Sequence, residues 1–241
     1  MTRRAGIFTV VFFSLALVVA ALEIYCRTPL DFRLPAIDLP KSSSMTLVFH
    51  GSVDADNPQF PRLIAALEST GRTVRYLRWD PWSDTRLRAA ASAKQAGLQI
   101  ADQLLSQLAS VLEGEGATTA TTLELELIAH SSGAYVLDAL CERLRHRAKT
   151  PIRVRMLFLD PFQIHGFVDW THGAREHGHC ADEAIAVINT DDPAPATNRP
   201  LHQARNIDVT ADPRRSGFAE NGHYWALEYL ILEAGSPEFT R

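Results

Sequence analysis

Apolar residues along the chain fall into three regimes. Residues 5–22 carry no charged side chain for 18 positions, with Arg3 and Arg4 before them and Glu23 after. Residues 23–44 are polar and punctuated by Pro29, Pro35 and Pro40, closing on Ser42, Ser43 and Ser44. From Met45 onward, short β-rich runs alternate with longer stretches in which apolar residues recur every three or four positions. That alternation predicts an α/β fold: a three-layer sandwich with a mostly parallel sheet of about six strands between helices.

The strands are expected at 45–50, 73–79, 123–129, 152–159, 184–189 and 206–210. Helices are expected near 61–70, 84–112, after Gly133, and at 224–233. The second places Ala101, Leu104, Leu105, Leu108, Val111 and Leu112 on one face, and the third does the same with Leu137, Leu140, Cys141 and Leu144. The basic run from Arg143 to Lys149 closes the third helix, where cations suit the negative end of the helix dipole, so it is not read as a binding patch.

An 18-residue apolar helix spans about 27 Å, close to the hydrocarbon thickness of a bilayer. The predicted organisation is a signal anchor or transmembrane helix at 1–22, a linker at 23–44 and an α/β domain at 45–241. With the basic flank first, the domain is expected outside the cytoplasm, periplasmic or extracellular. Val19 and Ala21 offer a cleavage site that would make the protein secreted, but the run is longer than the usual signal core of about 7–15 residues. Glu23, Ile24 and Tyr25 lack the small-residue pattern expected before a lipidated cysteine at Cys26. Export permits disulfides; of the three cysteines, Cys26 and Cys180 lie in segments read as irregular and are the expected pair, with Cys141 a packed thiol.

Composition narrows the function classes. The 241 residues carry 24 Lys and Arg against 28 Asp and Glu, a net charge of −4, which argues against a nucleic-acid partner. At 46% hydrophobic and 22% charged, with 13 Gly and 13 Pro, the chain is neither disordered nor a disulfide framework.

The chemistry concentrates at Ala129-His130-Ser131-Ser132-Gly133, where a strand breaks sharply into a helix. So tight a turn needs small residues two positions either side of the central serine, and it presents that serine at a helix N-terminus. The pentapeptide resembles the nucleophile elbow of the α/β-hydrolase superfamily, with Ala129 where the family more often has Gly. The resemblance covers roughly residues 45–233 and is nearest the lipase and esterase branch. It implies Ser131 as nucleophile and, as base, a histidine after the last strand, which maps to His223. The orienting acid falls at a strand end, Asp160 or the Asp191-Asp192 pair. The lipase-like arrangement, with Leu159-Asp160-Pro161 followed by Thr190-Asp191, favours Asp160, with Asp192 or Asp191 the alternative. The oxyanion donors would be the backbone N–H groups of Ser52, after His50-Gly51, and Ser132. The two leading antiparallel strands of the full family sheet have no counterpart.

The implied activity is hydrolysis of carboxylic esters or lipids through an acyl-serine, with no metal or organic cofactor. A thioesterase, acyltransferase or peptidase would use the same residues. The alternative from another class is a non-catalytic, membrane-tethered binding protein that keeps the fold. His172, His177, His179 and Cys180 match no familiar zinc spacing and read as a polar loop. His130 reads as packing, and Asp54, Asp56 and Asn57 as a solvated loop rather than a calcium site. Phe162, Ile164, Phe167, Val168 and Trp170 form an apolar patch that either borders an acyl pocket as a small lid or covers the sheet edge.

Overall fold

A computed structural model describes residues 2–37, 42–80, 82–114, 122–192 and 196–240, with side chains described except at 2–9, 84 and 108–114. The strands are β1 (Ser44–Phe49), β2 (Val74–Leu77), β3 (Leu123–His130), β4 (Ile152–Leu159), β5 (Glu183–Ile188) and β6 (Arg205–Asp208). They form one six-stranded sheet in the order β2-β1-β3-β4-β5-β6, with every neighbouring pair parallel. The helices are α1 (Thr2–Arg27), α2 (Gln59–Glu68), α3 (Ala89–Gly114), α4 (Ala134–Arg147), the short α5 (His172–Glu176) and α6 (Trp225–Glu233). The strand order reverses between β1 and β3, and in open parallel sheets such a switch point opens the crevice where ligands bind.

Side-chain alternation decides which layer each strand residue feeds. Leu125, Leu127, Val154, Met156 and Phe158 join the core under α3 and α4. Ile128, Leu157, Leu159, Ile185 and Val187 join the core under α2 and α6. The Leu–Glu alternation of β3 follows the same rule, except that Glu126 is nearly buried. Its carboxylate takes Arg72 and Arg155 at 3.0 Å each and the Thr46 hydroxyl at 2.9 Å. Helices α3 and α4 touch at Gly97, where a Cβ would run into the backbone carbonyl of Val136 and stand 3.0 Å from Ala139 Cβ. The expected helix at 84–112 starts late because Trp82–Asp84 form a separate 3-10 turn, and the core contacts expected of Leu108, Val111 and Leu112 lie outside the described side chains.

Within α1, Val10–Arg27 is long and apolar enough to cross a membrane, and its apolar side chains are exposed, Phe12 by 68% and Leu17 by 72%. The helix passes the expected boundary at Leu22 and ends at Arg27, with Cys26 buried against the domain. Part of the segment read as a linker lies along α3. Leu34 and Ile37 donate their N–H groups to the Gln99 and Gln103 side chains at 2.9 and 2.8 Å. Gln99, Gln103 and Gln107 in turn donate to the carbonyls of Phe32, Pro35 and Ile37. Glutamines four residues apart stack along one face of α3, so they act as a ladder for an extended chain whose prolines leave carbonyls without a sheet partner. Residues 38–41 of the expected linker lie outside the described ones.

The cysteine pairing also differs from expectation. Cys141 and Cys180 form a disulfide with Cα atoms 6.1 Å apart, and Cys26 is the free thiol. Asp138, one turn before Cys141 on α4, explains why. Its carboxylate takes His177 Nδ1 at 2.5 Å and the Gly178 N–H at 3.2 Å, which seats the 177–180 turn on α4 and brings Cys180 over Cys141. Cys26 is helical, not irregular, and is enclosed elsewhere. The disulfide closes a sequence separation of 39 residues. Loop-closure entropy then assigns it about 4 kcal/mol, so Cys180→Ser is expected to lower unfolding stability by about that much in urea titrations, while peptide mapping without reductant recovers the Cys141–Cys180 link from the parent protein.

Candidate active site

Every residue singled out for chemistry sits on a loop at the carboxyl end of the sheet. Beta strand β1 runs into His50-Gly51-Ser52, β3 into Ser131, β4 into Asp160 and β5 into Asp191-Asp192, while His223 lies in the 3-10 turn Gly222–Tyr224 that starts α6. Side chains are excluded where β1 and the β3 turn cross. A Cβ on Gly51 would stand 2.7 Å from Ser131 Cβ, and one on Gly133 would stand 2.6 Å from the His50 carbonyl oxygen and 3.2 Å from Ala129 Cβ. The small residues on either side of Ser131 are therefore small because they face each other and the neighbouring backbone. Ser131 takes a left-handed φ of 53°, a strained conformation for a residue with a Cβ, and its carbonyl accepts the Phe162 N–H at 3.0 Å. The Ser52 and Ser132 hydroxyls meet at 2.9 Å, which ties the β1 loop to the turn.

His223 is held on its Nδ1 side. Asp192 Oδ2 lies 2.7 Å from Nδ1 and also accepts the Thr197 hydroxyl at 2.8 Å. Asp160, the aspartate the lipase-like motif favoured, stands 3.7 Å from the same nitrogen. Its other oxygen is held by the Asn189 N–H at 2.7 Å, and Asp160 itself is left-handed at φ 42°, so the carboxylate is pinned to the end of β5 rather than swung onto the imidazole. The hydrogen bond expected from Asp160 is thus made by Asp192. Asp191 is turned away into a paired contact with the Arg215 guanidinium at 2.7 and 2.5 Å. Among the described residues, neither Ser131 Oγ nor His223 Nε2 hydrogen bonds to another protein group.

Burial and charge set the protonation of this cluster. Burial raises the Asp160 carboxyl to about 6, against the opposing pull of His223, with the Asp192 charge adding to the rise. Burial alone would lower His223, but the two carboxylates beside it, Asp160 by its charge and Asp192 by hydrogen bond and charge, outweigh it and lift the imidazole to about 9. Asp160, Asp192 and His223 also form a group with metal-ligand spacing among the described residues. Its hydrogen bonds already account for Nδ1 and one oxygen of each aspartate.

Sequence reasoning passed over a second pair beside the first. His130 is fully enclosed, with Nδ1 2.7 Å from Asp54 Oδ2, Nε2 3.0 Å from the His223 carbonyl oxygen, and its ring centre 4.4 Å from that of His223. Each ring nitrogen thus faces an oxygen, one of a carboxylate and one of the backbone. Asp54, expected in a solvated loop, is buried instead. Burial would raise its carboxyl, but His130 and then His50 hold it down at about 2. His50 receives the Trp79 N–H on Nε2 at 3.0 Å, so its proton sits on Nδ1, 2.8 Å from the Gly51 carbonyl. The loop histidines weighed as a metal cluster are otherwise engaged: His177 bridges Asp138 and the Phe162 carbonyl, and Cys180 is in the disulfide. An open depression of about 660 Å³ lined by Asp54, Asn57, Arg78 and Tyr224 adjoins this second pair, and its polar, charged lining does not suit an acyl chain.

No family model and no curated protein matches the chain. Among solved structures, it is similar to a protein described as a cell surface hydrolase from Lactobacillus plantarum WCFS1, at 11% identity and a TM-score of 0.48, covering 83% of this chain and 96% of that one. A Trichoderma reesei cutinase in complex with a phosphonate inhibitor aligns at 15% identity and a TM-score of 0.37, over 83% and 81% of the two chains. An arylesterase aligns at 10% identity and a TM-score of 0.39, over 100% and 99%. At these values the overlays say nothing about which bond this chain acts on.

The electrostatics carry a measurable sign. Each carboxylate near His223 favours the imidazolium, so removing either lowers its pKa. Histidine NMR titration is expected to place His223 near 9, as in the intact cluster, and to show a fall of about one unit or more in Asp160→Asn and in Asp192→Asn. Because the folded value lies above that of the unfolded chain, the stability this group contributes is full below about 6.5 and is lost as pH rises through the folded value.

Proposed function

We propose that the protein is a serine hydrolase that cleaves carboxylic esters or lipids by two-step acyl transfer, held at a membrane by an uncleaved α1. The observation that carries the reading is the strained Ser131 next to His130, which in turn holds the His223 carbonyl and lies close to its ring, with the His223 Nδ1 bound by the buried Asp192 and Ser131 Oγ and His223 Nε2 both unengaged among the described residues. In apo sites the nucleophile–base hydrogen bond commonly tightens only when substrate binds.

In this mechanism Asp192 fixes the imidazole with its proton on Nδ1, leaving the Nε2 lone pair to take the Ser131 proton as Oγ attacks the acyl carbon. The oxyanion would be met by the backbone N–H groups of Ser52 and Ser132, whose loops the hydroxyl contact holds together, and by the start of the helix that follows Ser131. The imidazolium then gives its proton to the leaving alcohol. Water, deprotonated by the same nitrogen, releases the acid and restores Ser131. Asp160 takes the place of a second carboxylate that raises the basicity of His223 without orienting it. Support for an uncleaved helix comes from the 18 uncharged residues from Ala5 to Leu22, longer than the usual signal core of about 7–15 residues.

A fluorophosphonate probe is expected to label the parent chain covalently and to fail on Ser131→Ala and His223→Ala. A parent chain that neither labels nor hydrolyses short or long acyl esters would leave the fold as a non-catalytic binding scaffold. The two aspartates separate by pH. Asp192→Asn is expected to lower kcat by several orders of magnitude, on the scale of losing a triad carboxylate, whereas Asp160→Asn shifts the acidic limb of kcat/KM to lower pH with a smaller loss at its plateau. Equal losses in both variants would contradict this division of roles.

A further inference from the structure

The foot of α1 and the apolar loop after β4 meet in a way that the catalytic reading does not use. Glu23, the first charged residue after the apolar run, accepts the backbone N–H groups of Phe167 and Val168, the latter at 3.1 Å, and leaves no room for a Cβ on Gly166. Glu23 also pairs with Arg27 one turn on. This grip presents Phe167, Val168 and Trp170 to the outside, exposed by 37%, 55% and 52%. Tyr25 and Phe32, on either side of the helix end, are exposed by 48% and 41%. So much exposed apolar and aromatic surface in one place calls for something to cover it.

Depth identifies the cover. If residues 5–22 fill the hydrocarbon layer, Glu23 lies at its outer boundary, and a loop hydrogen-bonded to Glu23 lies at the same level. That level is where tryptophan and tyrosine concentrate in membrane proteins, with an apolar ring body and a polar edge. The domain has little freedom to swing the loop away. Arg88 at the start of α3 grips the Thr28 and Pro29 carbonyls at 2.6 and 2.5 Å, its guanidinium lies 5.2 Å over the Tyr25 ring, and the glutamine ladder secures residues 30–37.

We propose that Phe167, Val168 and Trp170, clamped by Glu23, form a platform that rests in the interface of the bilayer α1 crosses and fixes how the domain stands on it. The inference rests on the uncleaved anchor proposed above and is independent of ester hydrolysis. It also links the site to the membrane. The loop begins at Asp160, its Phe162 N–H is bonded to the Ser131 carbonyl, and within a few residues it reaches the platform, so an amphiphilic ester would reach Ser131 along this segment from the lipid surface.

The chain carries its own reporter. Of its four tryptophans, Trp79, Trp82 and Trp225 are at most 1% exposed and Trp170 is the exposed one. The full chain would be reconstituted into phosphatidylcholine–phosphatidylglycerol vesicles with and without lipid brominated near the headgroup, and tryptophan quenching measured on floated vesicles. Brominated lipid is expected to quench the parent protein, with at least half of that quenching lost in Trp170→Phe and in Glu23→Ala, and none lost in Ser131→Ala. Equal quenching in the parent and either of the first two variants would overturn the platform. A chain that fails to float with the vesicles would overturn the platform and the anchor together, while a floating, quenched but unreactive chain would overturn only the hydrolase reading.

Discussion

No side chain fits where the end of β1 crosses the turn after β3, and the rest of the site follows from that exclusion. The crossing falls at the switch point of the sheet, where the connections of β1 and β3 leave in opposite directions. To close it, Gly51 must lie against Ser131 and Gly133 against His50 and Ala129. Ser131 is then forced into a left-handed backbone, a conformation that persists only because its surroundings over-determine it. Those surroundings are the fully buried Ile128, Ala129, Ala134 and Val136 on either side of the turn. The position of the half-buried serine at the carboxyl end of the sheet is thus a consequence of the core packing around the turn.

Among the described residues four carboxylates are buried, those of Asp54, Asp160 and Asp192 at the carboxyl end of the sheet and that of Asp138 on α4. Burying charge is costly unless each group is paired, and the chain answers with imidazoles. His130 and His177 follow one plan: one nitrogen meets a carboxylate and the other a backbone carbonyl, which locks two loops together. His223 departs from it. One nitrogen meets Asp192, but no carbonyl takes the other among the described residues. The carbonyl of His223 is itself taken by His130, so a structural bridge of the first kind holds the backbone of His223.

The sequence was legible where a residue's reason is local. Alternation in β3 and the three-and-four spacing of α4 fixed layers and faces, and the small residues around Ser131 located the turn, because strand pairing and steric exclusion act within a few positions. It was least legible where the partner is remote. Asp160 and Asp192 both end strands and both precede or follow turn residues, and only the distances of 3.7 and 2.7 Å to His223 distinguish them. Asp54 read as solvent-facing because nothing within its own loop shows that His130 lies against it. The disulfide was misassigned for the same reason, although Asp138 and Cys141 share a face of α4 and signal that something docks there. The glutamine ladder offered a readable cue, amides at four-residue spacing opposite a proline-rich stretch, which composition alone presents as an ordinary solvated helix face.

Binding the linker to α3 changes what the apolar helix does. A free linker of this length would let the domain sample many orientations, and the membrane would raise only its local concentration. A strap that spends its backbone hydrogen bonds on Gln99, Gln103 and Gln107 passes the helix's direction into the sheet, because α3 packs along α4, and α4 begins at the Ser131 turn. Rigid elements therefore run without interruption from the boundary of the apolar helix to Ser131. The cost is the conformational entropy of the strapped residues, about 1–2 kcal/mol for each backbone fixed, which the hydrogen bonds and the burial of Leu34 must offset. Meeting that cost in a segment with no chemistry of its own fixes the direction of α1 relative to the turn at Ser131.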